Sequence, residues 1–393
     1  MKITSVRPFL FFPGVGKNLL FTRVETNEGI YGWGEGYVVQ GKEKAIAAYV
    51  ESIAPYLIDR SPFEIKHLGR ALFNDFTSRR SSSDFFSAWS SIEIALWDIV
   101  GKKLNQPIYN LLGGPSRSHI RAYANGWYDV NFGGDDTPDG MAERAMRVKA
   151  MGYTAMKWDP FGKSYLEITG KDLDKALRCV DEVRRAVGND VDLLIEGHGR
   201  FNIPTAINIA KELAPFKPMF FEEPVPPDNL DALKAVRDKS PVAISAGERL
   251  YTMRDYKKMF DLMAADYIQP DVSHAGGIME LKNIAAEAEC RYIPFAPHNP
   301  SGPVACAATL QLAALCPNFS ILEIMYSDVA YRGEITNENL KYADGFIEIP
   351  NGAGLGIEIN EEACLKYPYN PHTLRHYTGA LTDIRPPETA FYF

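Results

Sequence analysis

From about residue 120 the chain repeats one pattern: a short β-branched or aromatic run, then a segment whose apolar residues recur at helical spacing. IRAYANGWY leads into DGMAERAMRVKAMG, TAMKWDP into KDLDKALRCVDEVRRAVG, and VDLLIEGH into PTAINIAKELAP. PMFFEEP, VAISAGE, ADYIQPD and YIPFAPH are followed in the same way by NLDALKAVRDK, TMRDYKKMFDLM, GGIMELKNIAAEAE and GPVACAATLQLAAL, and FSILEIM closes the series. Alternation of this kind with short connections demands parallel strands joined by crossover helices. Eight strand-like runs with seven helices suit a closed barrel better than an open doubly wound sheet. No GxGxxG fingerprint opens the first unit, which lowers the open-sheet alternative further. The predicted fold is α/β, a TIM-like (β/α)7–8 barrel over residues 121–328.

The flanks read differently. Residues 1–120 mix strand-like NLLFTRVET and IYGWGEGYV with helical EKAIAAYVESIAPYLI and SAWSSIEIALWDIVGKKL, the texture of a small α+β domain. Residues 329–393 lose the helical register, are rich in Pro, Gly and Tyr, and carry strand-like DGFIEIPN and GLGIEIN; this tail is expected to return to the N-terminal domain.

Composition narrows the function classes. With 46% hydrophobic and 23% charged residues the chain is ordinary for a globular protein. A net charge of −8 without a useful Lys/Arg run argues against nucleic acid as a partner. No apolar run is long enough to span a membrane, and the N-terminal MKITSVRPFLFFPG lacks the apolar region and cleavage site of a signal peptide. Five cysteines, an odd number without CxxC spacing, read as inert thiols in a reducing compartment. A cytoplasmic protein is expected.

The candidate chemistry stands at the ends of the barrel strands, where side chains from different strands converge on one mouth. Parallel strands buried on both faces avoid charge, yet the second ends in Lys157 and Asp159, the third in Glu196 and His198, and the fourth in Glu222 and Glu223. Glu248, Asp271, His298 and Glu323 follow on the fifth to eighth. A lone carboxylate there is commonly a helix cap. Glu196, Glu222 and Glu248, however, recur at an interval of 26 residues, which predicts equal heights on three adjacent strands. Three carboxylates in one mouth require a cation, and all-oxygen ligation points to Mg²⁺ first and Mn²⁺ second. His198 has three readings: a fourth ligand, a structural histidine, or a general acid/base, of which the last suits its titration near neutrality best. His298 and Asp271 on neighbouring strands form a candidate base with its orienting carboxylate, with His274 an alternative partner.

These residues, with ALWDIVGKKLNQPIYNLLGG, FFEEPVPP, ISAGERL, QPDVSHAGGI, PHNPSGP and NGAGLGIEIN in this order, resemble the enolase superfamily, mandelate racemase subgroup, and within it the galactonate and gluconate dehydratases. The resemblance implies an N-terminal capping domain, completed by the C-terminal tail, that closes the barrel mouth with a lid near FFPGVGKN. It implies a small-molecule sugar acid substrate, a homo-oligomer (dimer or octamer), and chemistry that starts by removing the proton α to a carboxylate, with a divalent ion stabilising the enediolate. By the same resemblance His298 takes the α-proton, His198 protonates the departing 3-OH, and Glu323, if protonated, donates a hydrogen bond to a carboxylate oxygen. Lys157, Asp159, Lys17 and Arg200 are expected at the substrate. The sequence departs from the racemases of the subgroup in Lys157-Trp158-Asp159, where they carry Lys-x-Lys, and in Glu196, where the first ligand is usually Asp. The expected activity is a Mg²⁺-dependent sugar acid dehydratase giving a 2-keto-3-deoxy acid. The rivals are a racemase, epimerase or cycloisomerase on the same scaffold and a non-catalytic binding barrel.

Overall fold

The computed structural model describes residues 1–14, 17–39, 41–77, 82–129, 135, 137–326, 333–337 and 342–371. Val15 and Gly16 of the expected lid, and the tail beyond residue 371, lie outside them.

The repeating pattern after residue 120 closes into the expected barrel. β4 (His119–Asn125), β5 (Ala155–Trp158), β6 (Asp192–Glu196), β7 (Phe220–Glu222), β8 (Ile244–Ala246) and β9 (Tyr267–Ile268) pair in chain order, and β10 (Leu322–Met325) returns to pair in parallel with β4. The seventh position is not a full strand. Pro294 and Pro297 remove two backbone donors from YIPFAPH, so Phe295 alone bridges Ile268 on one side and Phe319 on the other. Seven helices cover the outside: α5 (Pro138–Ala150), α6 (Gly170–Val187), α7 (Ile203–Leu213), α8 (Leu230–Arg237), α9 (Thr252–Leu262), α10 (Ile278–Glu289) and α11 (Pro303–Leu315). Thr137, Thr169, Asn202 and Asn229 begin four of them by accepting a hydrogen bond from the third helical N–H.

Side chains alternate along a strand with period two, so the barrel interior can be read from its strand ends. Tyr123, Ala155, Leu194, Phe220, Ala296 and Ile321 form one buried apolar cluster. Each precedes by two residues a polar group: Asn125, Lys157, Glu196, Glu222, His298 and Glu323. This packed layer is the floor on which the polar mouth stands.

The N-terminal unit is an antiparallel meander, β1 (Ile3–Phe11), β2 (Leu19–Thr26) and β3 (Tyr31–Gly36), with helices α1 (Glu43–Leu57), α2 (Ile65–Thr77) and α3 (Ser83–Leu104), followed by the short α4 (Ile108–Leu111). β1 and α2 escape the sequence reading because β1 contains Pro8, tolerated on an edge strand, and α2 contains Gly69. A Cβ at Gly69 would come within 2.8 Å of the Trp89 ring. Likewise β3 can lie on α3 only because Gly32 and Gly34 bring no side chain: a Cβ at Gly34 would stand 1.6 Å from the Ser91 carbonyl oxygen.

Glu35, the residue after Gly34, reaches from β3 to the barrel. Its carboxylate accepts from the Gly302 N–H at 2.5 Å and the Ala305 N–H at 2.9 Å, capping α11 immediately after the His298 segment. Helix α11 has no side-chain cap of its own. Glu35→Ala therefore leaves buried N–H groups unpaired and is expected to cost on the order of 3 kcal/mol in denaturant unfolding. An unchanged unfolding midpoint would show that this cap is dispensable.

The tail divides its contacts. DGFIEIPN forms β12 (Phe346–Glu348), antiparallel to the His119–Arg121 end of β4, and β11 (Tyr342–Ala343) pairs with β12. It thus extends the barrel sheet rather than the cap, because β5 meets β4 only at Ala124 and leaves the lower part of β4 available. Beyond it the chain returns to the N-terminal unit: the Leu355 N–H donates to Asp98 of α3 at 2.9 Å, and Glu358 pairs with Lys102 at 2.7 Å.

Candidate active site at the barrel mouth

Glu196 and Glu222 end adjacent strands in direct register. Glu248 does not share their height, as its spacing suggested. The partner of Glu222 on β8 is Ser245, and β8 stops at Ala246. Gly247, at φ +127°, turns the chain so that Glu248 enters the mouth from the loop. One oxygen from each of the three glutamates lies within 4.8 Å of the others. All three are buried, Glu222 completely. Burial pushes the Glu196 carboxyl up to about 7, with Lys157 and a hydrogen bond to Glu222 opposing the rise and Glu248 adding to it. Burial likewise raises Glu222 well above the usual carboxylate range, where Glu196 and Glu248 both add to the rise. Burial acts on Glu248 in the same sense but is outweighed by the positive charges of His298 and Arg249, which hold it low.

Lys157 lies among these groups, its Nζ 2.5 Å from Glu222, 3.2 Å from Glu323 and 3.5 Å from Glu196. Burial opposes its charge, and the glutamates overcome that and raise it well above the ordinary lysine value. One ammonium against three glutamates leaves a buried excess of negative charge that a divalent cation would match. The donor set, three oxygens on three separate backbone segments, suits a hard ion. Gln269 fixes the other oxygen of Glu222 at 2.7 Å.

Two imidazoles flank this cluster, each held by an aspartate. His298 Nδ1 lies 2.7 Å from Asp271 Oδ2, and its Nε2 lies 3.3 Å from Glu248. Asp271 is fixed in turn by the Ser273 N–H at 2.7 Å and hydroxyl at 2.5 Å. The ring of His274, the alternative partner, stands 3.8 Å from the Asp271 carboxylate and makes no hydrogen bond to it. Burial disfavours the His298 imidazolium, but Glu248 and then Asp271 outweigh it and raise the ring to about 9. Asp271, although buried, is lowered to about 2 by His274 and His298. On the other flank His198, at φ +52°, has Nδ1 2.6 Å from Asp159 Oδ2, and its own N–H donates to Glu196 at 2.6 Å.

Glu323 accepts from Asn125 Nδ2 at 2.5 Å and from the Asn299 N–H at 2.8 Å, besides Lys157. Burial raises it, but the charges of Lys157 and His298 prevail and hold it below the usual value. It is thus arranged as an ionised acceptor, whereas the resemblance implies a donor. Asp159 and Arg200 also differ from expectation. Neither lines the cavity of about 540 Å³ that Lys157, Glu196, His198, Glu248, His298 and Glu323 help to enclose. Arg200 is fully buried and donates to Asp159, the Gly197 carbonyl and the Gly162 carbonyl. Lys17 packs its ammonium 3.8 Å from the ring centre of Tyr37, a wall residue, instead of lining the cavity itself.

The sequence reading missed Asn125, Arg249, Tyr37 and Tyr128 in the cavity wall. Asn125 had a signal, since it ends the first barrel strand at the level of the charged groups. The others had none, because they stand on loops whose path the strand pattern does not fix.

Residues 140–363 match the family described as enolase C-terminal domain-like, and residues 14–113 match the mandelate racemase/muconate lactonizing enzyme N-terminal domain. The chain belongs to the mandelate racemase subgroup of the enolase superfamily. Members of this family are enzymes, and this chain is one. It is 35% identical to a D-gluconate dehydratase of Thermoproteus tenax over 90% of this chain and 70% of that one. It is 34% identical to a D-galactonate dehydratase of Xanthomonas euvesicatoria pv. vesicatoria (strain 85-10) over 98% of this chain and all of the other. The solved structure of a mandelate racemase/muconate lactonizing enzyme from Sulfitobacter sp superposes with a TM-score of 0.89 at 32% identity, covering 95% of this chain and 97% of that one. In this enolase-superfamily chain no described helix is long and apolar enough to cross a membrane.

Proposed function

We propose that this enzyme is a Mg²⁺-dependent hydro-lyase that converts an aldonic or aldaric acid to its 2-keto-3-deoxy product. The observation that carries the reading is the pair of aspartate-held histidines, on the third and seventh strand positions of an eight-position barrel, hence across the mouth from each other. The glutamate cluster stands in the same mouth. Glu196, Glu222 and Glu248 would hold the ion, which supplies the positive charge that makes the proton α to the bound carboxylate acidic.

His298, oriented by Asp271, takes the proton from C2 onto Nε2. The electron pair left at C2 forms the C2=C3 bond as the C3–O bond breaks, and the departing oxygen takes a proton from His198 and leaves as water. The resulting enol becomes the ketone by taking a proton at C3 and losing the proton of its 2-OH. Lys157 and Asn125 stand on the cavity wall beside Glu323 and are placed to hold substrate oxygens. The relatives named D-gluconate and D-galactonate dehydratase support elimination over other outcomes.

Opposed imidazoles also suit a two-base racemase or epimerase, so the assay must distinguish the two. Purified enzyme with Mg²⁺ and a panel of aldonic and aldaric acids is expected to give keto acids lighter than substrate by one water, read by mass spectrometry. Epimers without keto acid would replace elimination with isomerisation. His198→Asn is expected to lose elimination while still exchanging the α-hydrogen with solvent deuterium, and wild-type keto acid formation in that variant would remove its acid role.

A further inference from the structure

The carboxylate behind His198 has no part in the reaction as described, and its surroundings are unusually complete. Asp159 lies just past β5, its side chain only 5% exposed, and uses both oxygens. Oδ1 accepts from the Phe161 N–H at 2.9 Å, and Oδ2 takes both His198 Nδ1 at 2.6 Å and Arg200 Nη2. Arg200 is itself anchored, its Nε and Nη1 donating to the carbonyls of Gly197 at 3.0 Å and Gly162 at 2.7 Å. The backbone leaves little slack either. His198 sits at φ +52°, a conformation a non-glycine residue keeps only when its surroundings impose it, and its carbonyl is held by Arg249 Nη1 at 3.0 Å.

We propose that Asp159 and Arg200 are positioning residues for His198, a second aspartate–histidine unit that separates elimination from α-proton removal. The inference rests on the reading of His198 as the acid that protonates the leaving hydroxyl. A carboxylate accepting from Nδ1 fixes the ring's orientation and tautomer, so that Nε2 is the nitrogen presented to the cavity. Arg200 in turn fixes the carboxylate. A guanidinium does this better than an ammonium, because its planar fork serves Asp159 and two carbonyls at once. His198 and His298 thus share one construction, and each is expected to respond to its own aspartate.

The test measures two rates in the full-length Mg²⁺-loaded enzyme: keto acid formation, and deuterium entry at C2 of recovered substrate. Asp159→Asn is expected to slow keto acid formation by about 10²-fold or more, while deuterium exchange stays within about threefold of wild type. Its residual activity should have lost kcat rather than gained KM, since Asp159 does not line the cavity. Arg200→Lys, which keeps the charge but not the fork, should move the same ratio in the same direction by less. Equal loss of both rates, or no loss of elimination, overturns the proposal.

A second readout needs no turnover. With ¹⁵N-histidine labelling, the His198 ring, assigned by its absence in His198→Asn, is expected in wild type to be the Nδ1–H tautomer when neutral, so that Nε2 is the nitrogen that gains and gives the acid's proton. It should become a mixture of tautomers in Asp159→Asn or, should that variant not fold, in Arg200→Lys. An unchanged ring overturns the positioning role. A changed ring in an enzyme that gives no keto acid from any acid on the panel keeps the positioning role and removes the elimination reading instead.

Discussion

His298→Asn is expected to abolish keto acid formation and deuterium exchange together, a loss of at least about 10²- to 10⁴-fold, the range of a general base. The two rates fall together because the α-proton must leave before anything else can happen. This separates His298 from His198, whose loss spares exchange. Asparagine keeps the approximate shape and a polar end but cannot take a proton. The segment carrying His298 should keep its place, because neighbouring Asn299 is tied to Glu323 by its N–H at 2.8 Å and its side-chain amide at 3.0 Å. Glu35 also caps the helix that follows. Ion binding should be undiminished, since Glu248 loses only a cationic neighbour 3.3 Å away and becomes a better partner for an added cation. Calorimetric titration with Mg²⁺ checks this half of the prediction. A variant that retains wild-type exchange would transfer the base role elsewhere, with His274 the first candidate on the same wall.

How much of this was legible beforehand follows from what each feature depends on. The barrel was readable because its strands and helices differ in period and alternate without exception, which only parallel pairing accommodates. The glutamate cluster and the Asp271–His298 pair were readable because charge at the end of a buried strand has few harmless explanations. Glu248 shows the limit: equal spacing predicted its meeting with the other two glutamates but the wrong height, since a turn at Gly247 is invisible to counting. Asp159 and Arg200 show another. Their types suited substrate contact, but whether a charge faces the cavity or backs a neighbour depends on local turns at Gly162 and Gly199, both at positive φ, that no periodicity reports. β1 and α2 were hidden by a proline and a glycine whose tolerance comes from tertiary contacts.

Binding of Mg²⁺ is expected to release protons and to strengthen as pH rises, and the three groups concerned agree in sign. Without an ion, Glu196 titrates at about 7 and burial pushes Glu222 well above the usual carboxylate range, so near neutrality the cluster holds protons that a divalent ion must displace. His298 adds a third contribution. Its rise to about 9 is opposed by burial and driven first by Glu248, so a cation that neutralises Glu248 removes the largest cause of the rise. The ring then gives up its proton at lower pH. Affinity should therefore climb steeply through the window from about 7 to about 9. Calorimetry in buffers of differing ionisation enthalpy should count about one or more protons released per ion near neutrality. Histidine NMR of the stripped protein should find His298 titrating near 9 and moving downward when Mg²⁺ is added. The consequence reaches catalysis: stripped enzyme is expected to be inactive twice over, lacking the charge that acidifies the substrate and holding its base protonated. Magnesium, or manganese in its place, should restore both. If binding proves independent of pH and His298 does not shift, Glu248 is not a ligand, and the three-glutamate site has been assigned to the wrong residues.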